Sequence, residues 1–147
     1  TTKNILGNAA YLLEGIKRIN TIEDIGVRIE TAEGEIINEE VIWCFIMNSS
    51  SVAGIEFGDF YDINTNDGMF EIVLIYKSLS IVDLASKIAD IRNGKRYGDG
   101  VRVITTKGAI IDTEKPVRWT LDGEYGGETS HVEFSVMHNA VDFILNK

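Results

Sequence analysis

The segment of this sequence best suited to chemistry is Lys115-Pro116-Val117-Arg118-Trp119-Thr120-Leu121-Asp122-Gly123-Glu124. Alternation along it places Val117, Trp119 and Leu121 on one face, expected to be buried, and leaves Arg118, Thr120, Asp122 and Glu124 on the other. Two carboxylates then end one polar row. A carboxylate at a strand end is held by a rigid sheet yet open to a cleft, and Gly123 lets a second chain or a substrate approach the backbone closely. Catalysis by Asp122 is one reading. The other is a plain turn, because Asp-Gly at a strand end is what a tight hairpin requires. Glu124 divides in the same way between a supporting carboxylate and a solvated strand-end residue. Asn66-Asp67-Gly68 likewise reads, on its residues alone, as a hairpin-type turn.

Other reactive types are sparse. Cys44 is the single cysteine and lies inside the apolar run Val41-Ile42-Trp43-Cys44-Phe45-Ile46-Met47, so an internal disulfide and a cysteine-based metal site are excluded. A reduced, cytoplasmic compartment fits that usage. His131 and His138 are the only histidines, too few to support a zinc site or a Cys/His nucleophile pair.

The elements that must position these residues follow from periodicity. From Thr2 to Ile19 the apolar residues Ile5, Ala9, Leu12, Leu13, Ile16 and Ile19 recur at helical spacing, so the chain opens inside an amphipathic helix. With no initiating Met before it, an upstream part is expected. The period then changes to two. Ile25, Val27 and Ile29 alternate with polar neighbours, and Ala32-Glu33-Gly34-Glu35 turns the chain into Ile36-Ile37, predicting a hairpin. Glu40 to Met47 is continuously apolar and predicts a central strand covered on both faces. Residues 49–68 read as a long loop of the kind that carries function, and Met69 to Tyr76 as a strand. Ser80 and Asp83 can cap a second helix buried along Ile81, Leu84, Ala85, Ile88 and Ile91 and stopped at Gly94. Strands are expected at Val101–Thr105, Val117–Leu121 and His131–Val136, the last two as a second hairpin, with an alternating segment from Ala140 to Leu145. The fold class is therefore mainly β (α+β), a two-layer antiparallel β-sandwich with two peripheral helices, formed by residues 1–147 as one domain.

A net charge of −9 disfavours attraction to nucleic acid or to an anionic bilayer, which leaves peripheral membrane contact at most. The densest basic group, Lys95, Arg96 and Arg102, reads as a solvated face. No apolar stretch reaches the roughly 18 residues of a membrane span, so a soluble chain is expected.

Thr120-Leu121-Asp122-Gly123-Glu124, near the C-terminus, resembles the Asp-Gly-Glu signature of the diacylglycerol, sphingosine and ceramide kinase superfamily. Other parts agree in order. Leu6-Gly7-Asn8-Ala9-Ala10-Tyr11 resembles the helix that enters that family's second domain, and Asn48 with the loop after it resembles the family's Asn-rich loop. Asn66-Asp67-Gly68-Met69-Phe70-Glu71-Ile72 is similar to its Asp-Gly-hydrophobic strand start, and Val132-Glu133-Phe134-Ser135-Val136 to its closing strand pair. The resemblance covers nearly the whole chain and implies the C-terminal domain of a bacterial diacylglycerol kinase-like lipid kinase. By it, Asp122 is the general base that takes the acceptor hydroxyl's proton, and Glu124 supports it or helps to place magnesium. Asp67 is the carboxylate of a structural magnesium site, joined by the backbone carbonyls of Asn64 and Met69.

Ser51-Val52-Ala53-Gly54 departs from the glycine run that many members carry, and nothing here resembles the family's nucleotide-binding motif. ATP is therefore expected on an N-terminal domain absent from this chain, and the 147 residues alone are expected to be inactive. The lipid substrate implied first is diacylglycerol, with Val52, Ile55, Phe57 and Phe60 as candidates for either an acyl channel or ordinary core. Exposed sheet edges allow a homodimer. Two further classes remain open: a related kinase acting on a soluble substrate, and a non-catalytic β-sandwich module in which Asp122 and Glu124 are turn residues.

Overall fold

The computed structural model describes residues 23–49, 67–77 and 100–140, together with residue 86 and the backbone of Ser51–Val52, Ile55–Glu56 and Tyr97–Gly98. The helix expected from Thr2 to Ile19, most of the one after Ser80, and the segment beyond Ala140 lie outside these residues.

Ten strands are described: β1 (Ile25–Thr31), β2 (Ile36–Val41), β3 (Trp43–Met47), β4 (Ser51–Val52), β5 (Ile55–Glu56), β6 (Phe70–Ile75), β7 (Tyr97–Gly98), β8 (Val101–Thr106), β9 (Gly108–Leu121) and β10 (Glu124–Ser135). They form two four-stranded antiparallel sheets, ordered β10-β9-β1-β2 and β3-β6-β8-β7, with β4-β5 as a separate pair inside the expected long loop. The two-layer, mainly β expectation holds for the described residues. Val27, Ile29, Ile37, Val41, Ala109 and Ile111 from the first sheet meet Ile72, Leu74 and Ile104 from the second in one apolar cluster. Val27 and Ile29 alternate with Arg28 and Glu30, so burying one face leaves the other polar.

The expected β1–β2 hairpin is present. Gly34 takes a positive φ of 88°, and its N–H and that of Thr31 close the turn on the Thr31 and Glu35 carbonyls, each at 2.9 Å. The single central strand expected from Glu40 to Met47 is not formed. Val41 is the last residue of β2 and packs into the core cluster, and β3 begins only at Trp43. The chain bends at Ile42, whose N–H bonds the Ile75 carbonyl at 2.9 Å, and passes from the first sheet to the second. β3 then lies at a sheet edge among the described strands, with Phe45 exposed, while the strand buried on both faces is β6. Arg102 on β8 ties the layers together by reaching Glu35 at 2.8 Å and Glu39 at 3.0 Å, so it is not part of a plain solvated face.

Cys44 packs against the core cluster, and burial pushes its thiol up to about 12 from a reference of 9.0. At pH 8 the thiolate fraction is then lower than in a free cysteine by about a thousandfold, since each pKa unit is a factor of ten. Native protein is expected to react with an iodoacetamide probe at least a hundredfold more slowly than protein in denaturant, on the order set by that thiolate fraction. Equal rates would contradict the packing.

The second crossing between layers, from β8 to β9, has its own polar knot. The Thr106 hydroxyl is fully buried and lies 2.5 Å from Glu33 Oε2 and 2.7 Å from the Gly108 carbonyl, while accepting the Gly108 N–H at 3.2 Å. Glu33 Oε1 also accepts the Lys107 N–H at 3.1 Å. The Thr106 hydrogen bond holds the Glu33 carboxyl below its usual value of 4.5. Because the folded-state pKa is depressed, the stabilisation is complete above the unfolded value and is lost as pH falls through the folded one. Glu33→Gln is expected to lower stability at pH 7 by less than about 1 kcal/mol, and the difference from the parent should vanish below the carboxylate range. Urea titrations at pH 7 and pH 3 check this; a difference that persists in acid would assign the effect to packing instead.

Candidate active site

β9 and β10 make a hairpin longer than either expected strand, with 14 and 12 residues. β1 pairs with β9 only from Ala109 to Thr113, so among the described residues the distal part of the hairpin pairs with itself alone and forms a two-stranded arm. The register shifts between Thr129 and His131, and the surplus residues on β9 lie between Asp112 and Val117. Pro116, which has no N–H to offer a ladder, falls in that surplus. The indole N–H of Trp119 bonds the Thr129 carbonyl at 3.2 Å and braces the arm across its strands.

At the tip, Leu121 pairs with Glu124 and the two residues between have positive φ, 48° at Asp122 and 92° at Gly123. This is the signature of a type I′ turn, whose twist matches that of the strands it joins. Asp122 therefore sits in the turn rather than at the end of a polar row. Glu124, cross-strand from Leu121, shares the Leu121 face, and Thr120 shares its face with Tyr125. Both carboxylates are exposed. Val117, Trp119 and Leu121 do share the inner face, but only the first two are partly buried; Leu121 is 67% exposed because the arm carries it past the core.

At the foot of the arm the inner face opens into an apolar cleft of about 170 Å³, lined among others by Val41, Trp43, Cys44, Ile111, Val117 and Trp119. The outer face carries a row that sequence spacing could not have disclosed: His131, Asp112, Arg28 and Asn38 stand in cross-strand register on β10, β9, β1 and β2. His131 Nδ1 lies 2.7 Å from Asp112 Oδ1, and Arg28 lies 3.8 Å from Asp112 Oδ2 and 2.8 Å from Glu30.

Asp67 lies elsewhere. Its Oδ1 accepts the Met69 N–H at 2.9 Å, and Gly68 takes a φ of 75° beneath His138, whose Nδ1 stands 3.0 Å from where a Cβ would be. Phe70 meets Phe134 edge-on at 5.4 Å, so this turn is anchored at the C-terminal end of β10. Asp122 is at the other end, and a strand of this length at about 3.3 Å per residue separates the two by on the order of 35 Å. The two carboxylate sites do not come together. A magnesium ion on the Asp67 turn would find one free carboxylate oxygen and the Met69 carbonyl, the hard oxygens it prefers, whereas Asn64 lies outside the described residues. Among the described residues no three His, Cys, Asp or Glu side chains converge, so backbone carbonyls and water would complete such a shell. Of the acyl-channel candidates, Phe57 and Phe60 lie outside the described residues, and Val52 and Ile55 pair with each other in β4 and β5. Among the described residues no helix is long and apolar enough to cross a membrane.

No protein-family model matches the chain. Over 126 residues it is 26% identical to the diacylglycerol kinase of Bacillus subtilis strain 168, a match that covers 85% of this chain and 41% of that protein. Three solved structures from Bacillus anthracis strain Sterne that carry a diacylglycerol kinase designation share its fold. Their TM-scores are 0.66, 0.64 and 0.53 at 19%, 20% and 19% identity, over 83%, 84% and 80% of this chain. The chain spans about two-fifths of the length of each of these relatives. The chain is thus similar in sequence to part of a diacylglycerol kinase and in fold to part of three structures so designated.

Proposed function

We propose that this chain is the acceptor-activating domain of an ATP-dependent kinase that phosphorylates a lipid hydroxyl, diacylglycerol being the first candidate, with Asp122 as general base. The observation that carries the proposal is the placement of Asp122 at the tip of a braced arm, within a stretch similar to a curated diacylglycerol kinase. Phosphoryl transfer asks a protein mainly to position groups and neutralise charge. ATP is held by an upstream nucleotide-binding domain. An Asp122 carboxylate oxygen takes the acceptor's proton as the hydroxyl oxygen bonds the γ-phosphorus, and ADP leaves with the electron pair of the broken phosphate bond. Glu124, on the adjoining strand, supports the negative site at which magnesium on the nucleotide would offset the phosphate charge.

The apolar cleft at the foot of the arm supplies a surface suited to part of an acyl chain. Asp67, far from the arm tip, takes a structural role: a magnesium there would tie the turn before β6 to the end of β10 and act on stability before chemistry. The setting is the cytoplasm with peripheral contact at the inner membrane face. The deciding experiment replaces Asp122 with Asn in the full-length protein and measures transfer to diacylglycerol in mixed micelles beside soluble acceptors. Transfer to soluble acceptors alone would keep the chemistry and remove the lipid.

A further inference from the structure

We infer that Leu121 and Tyr125 are the docking residues through which the arm seats in the nucleotide-binding part of the same full-length protein, and that this seating delivers Asp122 to its acceptor. The inference rests on the kinase reading above. Among the described residues five large apolar side chains are exposed, and two of them, Leu121 at 67% and Tyr125 at 70%, flank the Asp122-Gly123 turn. They occupy opposite faces of the ribbon, because Leu121 pairs with Glu124 whereas Tyr125 pairs with Thr120. A two-stranded ribbon is marginal in water unless something packs on it, and among the described residues no third strand pairs with this one beyond Thr113. This one has a place on each face for a partner to pack, and Gly126 leaves room there for Leu121, whose Cγ lies 2.9 Å from the position a Cβ would take.

Apolar groups on both faces suit a ribbon gripped by two protein walls. A bilayer surface fits less well: a segment lying on lipid has one apolar face. Inserted end-on, this ribbon would drive Asp122 and Glu124 in first. The size of the remainder points the same way, since this chain covers only 41% of the curated relative and 40–42% of the solved ones. More than half of such a protein is available to form the walls.

The test is amide hydrogen exchange across residues 117–129 of the full-length protein without lipid, comparing the parent with a Leu121→Ser, Tyr125→Ser double variant. Both side chains are exposed in this domain, so the domain fold is retained, and β6 amides serve as the internal control. Expected is arm exchange faster by roughly tenfold or more in the double variant with β6 unchanged, together with a kcat reduced about tenfold at unaltered KM for ATP. Equal arm exchange in the two proteins overturns the inference. So does arm protection that arises only when phosphatidylcholine vesicles are added, which would make the membrane the occupant. Transfer retained in Asp122→Asn with arm protection still lost in the double variant would leave the docking surface standing and remove the general base; the converse pair of results removes the docking surface alone.

Discussion

Full-length protein carrying Asp122→Asn is expected to lose phosphate transfer to diacylglycerol by about a hundred- to ten-thousandfold, the range that a positioned general base contributes. Its melting temperature should stay within about 1 °C of the parent's, because Asn-Gly satisfies a type I′ turn as well as Asp-Gly does. This substitution is unusually clean for that reason. The φ of 48° at residue 122 disfavours most side chains, so Asp122→Ala would mix lost chemistry with turn strain, whereas Asn tolerates the left-handed region and keeps the side chain's shape while removing its charge and its ability to accept a proton. Unchanged turnover with the turn intact would leave Asp122 as a turn residue and favour a non-catalytic module. Lost turnover with a lowered melting temperature would instead point to damage of the arm.

Where the sequence spoke clearly, local pattern and tertiary role coincided. The β1–β2 hairpin shows period-two alternation and a Gly-containing turn, and both survive because one face of that sheet is buried and the other solvated. The run from Glu40 to Met47 misled for a physical reason: from Val41 onward it is apolar because the chain changes layers inside it, with Val41 ending a strand of one sheet and Trp43 starting a strand of the other. The arm was under-read for the opposite reason. Glu114, Lys115, Glu128 and Thr129 look like loop, yet a ribbon that leaves the core of its own sandwich need not be apolar at those positions. Asp122-Gly123 could be placed at a turn from the residues alone, but the separation of Asp67 from Asp122, the His131–Asp112–Arg28 row and the contact of His138 with Gly68 all depend on strand register and crossings. Register is set by long-range packing, and a single sequence does not display it.

Gly108→Ala should separate the fold from the site in the direction opposite to Asp122→Asn. Gly108 starts β9 at the crossing from β8, and a Cβ there would stand 2.6 Å from the Phe134 carbonyl oxygen and 3.2 Å from Ser135 Cα. Both atoms are backbone, so a rotamer change cannot relieve the overlap; β9 must move off β10 or the crossing must open. Opening it strains the Thr106 contacts to the Gly108 N–H and carbonyl and the bond from the Ala32 N–H to that carbonyl, at 2.8 Å. Overpacking of this kind costs about 1–3 kcal/mol, and a disturbed buried hydrogen bond adds about 1 kcal/mol, against a gain of up to about 1 kcal/mol from replacing glycine in the unfolded chain. A net loss of about 2 kcal/mol is expected, read as a lower urea midpoint at constant slope. Gly34→Ala is the control. That position has open space around its Cβ but a φ of 88°, so it carries backbone strain without any clash. If Gly108→Ala loses no more stability than Gly34→Ala, the crossing is not packed as described. If it loses more, and the full-length variant still transfers phosphate at temperatures where it remains folded, then the foot of β9 serves stability while its far end, on the order of 40 Å away by the strand rise, serves the chemistry.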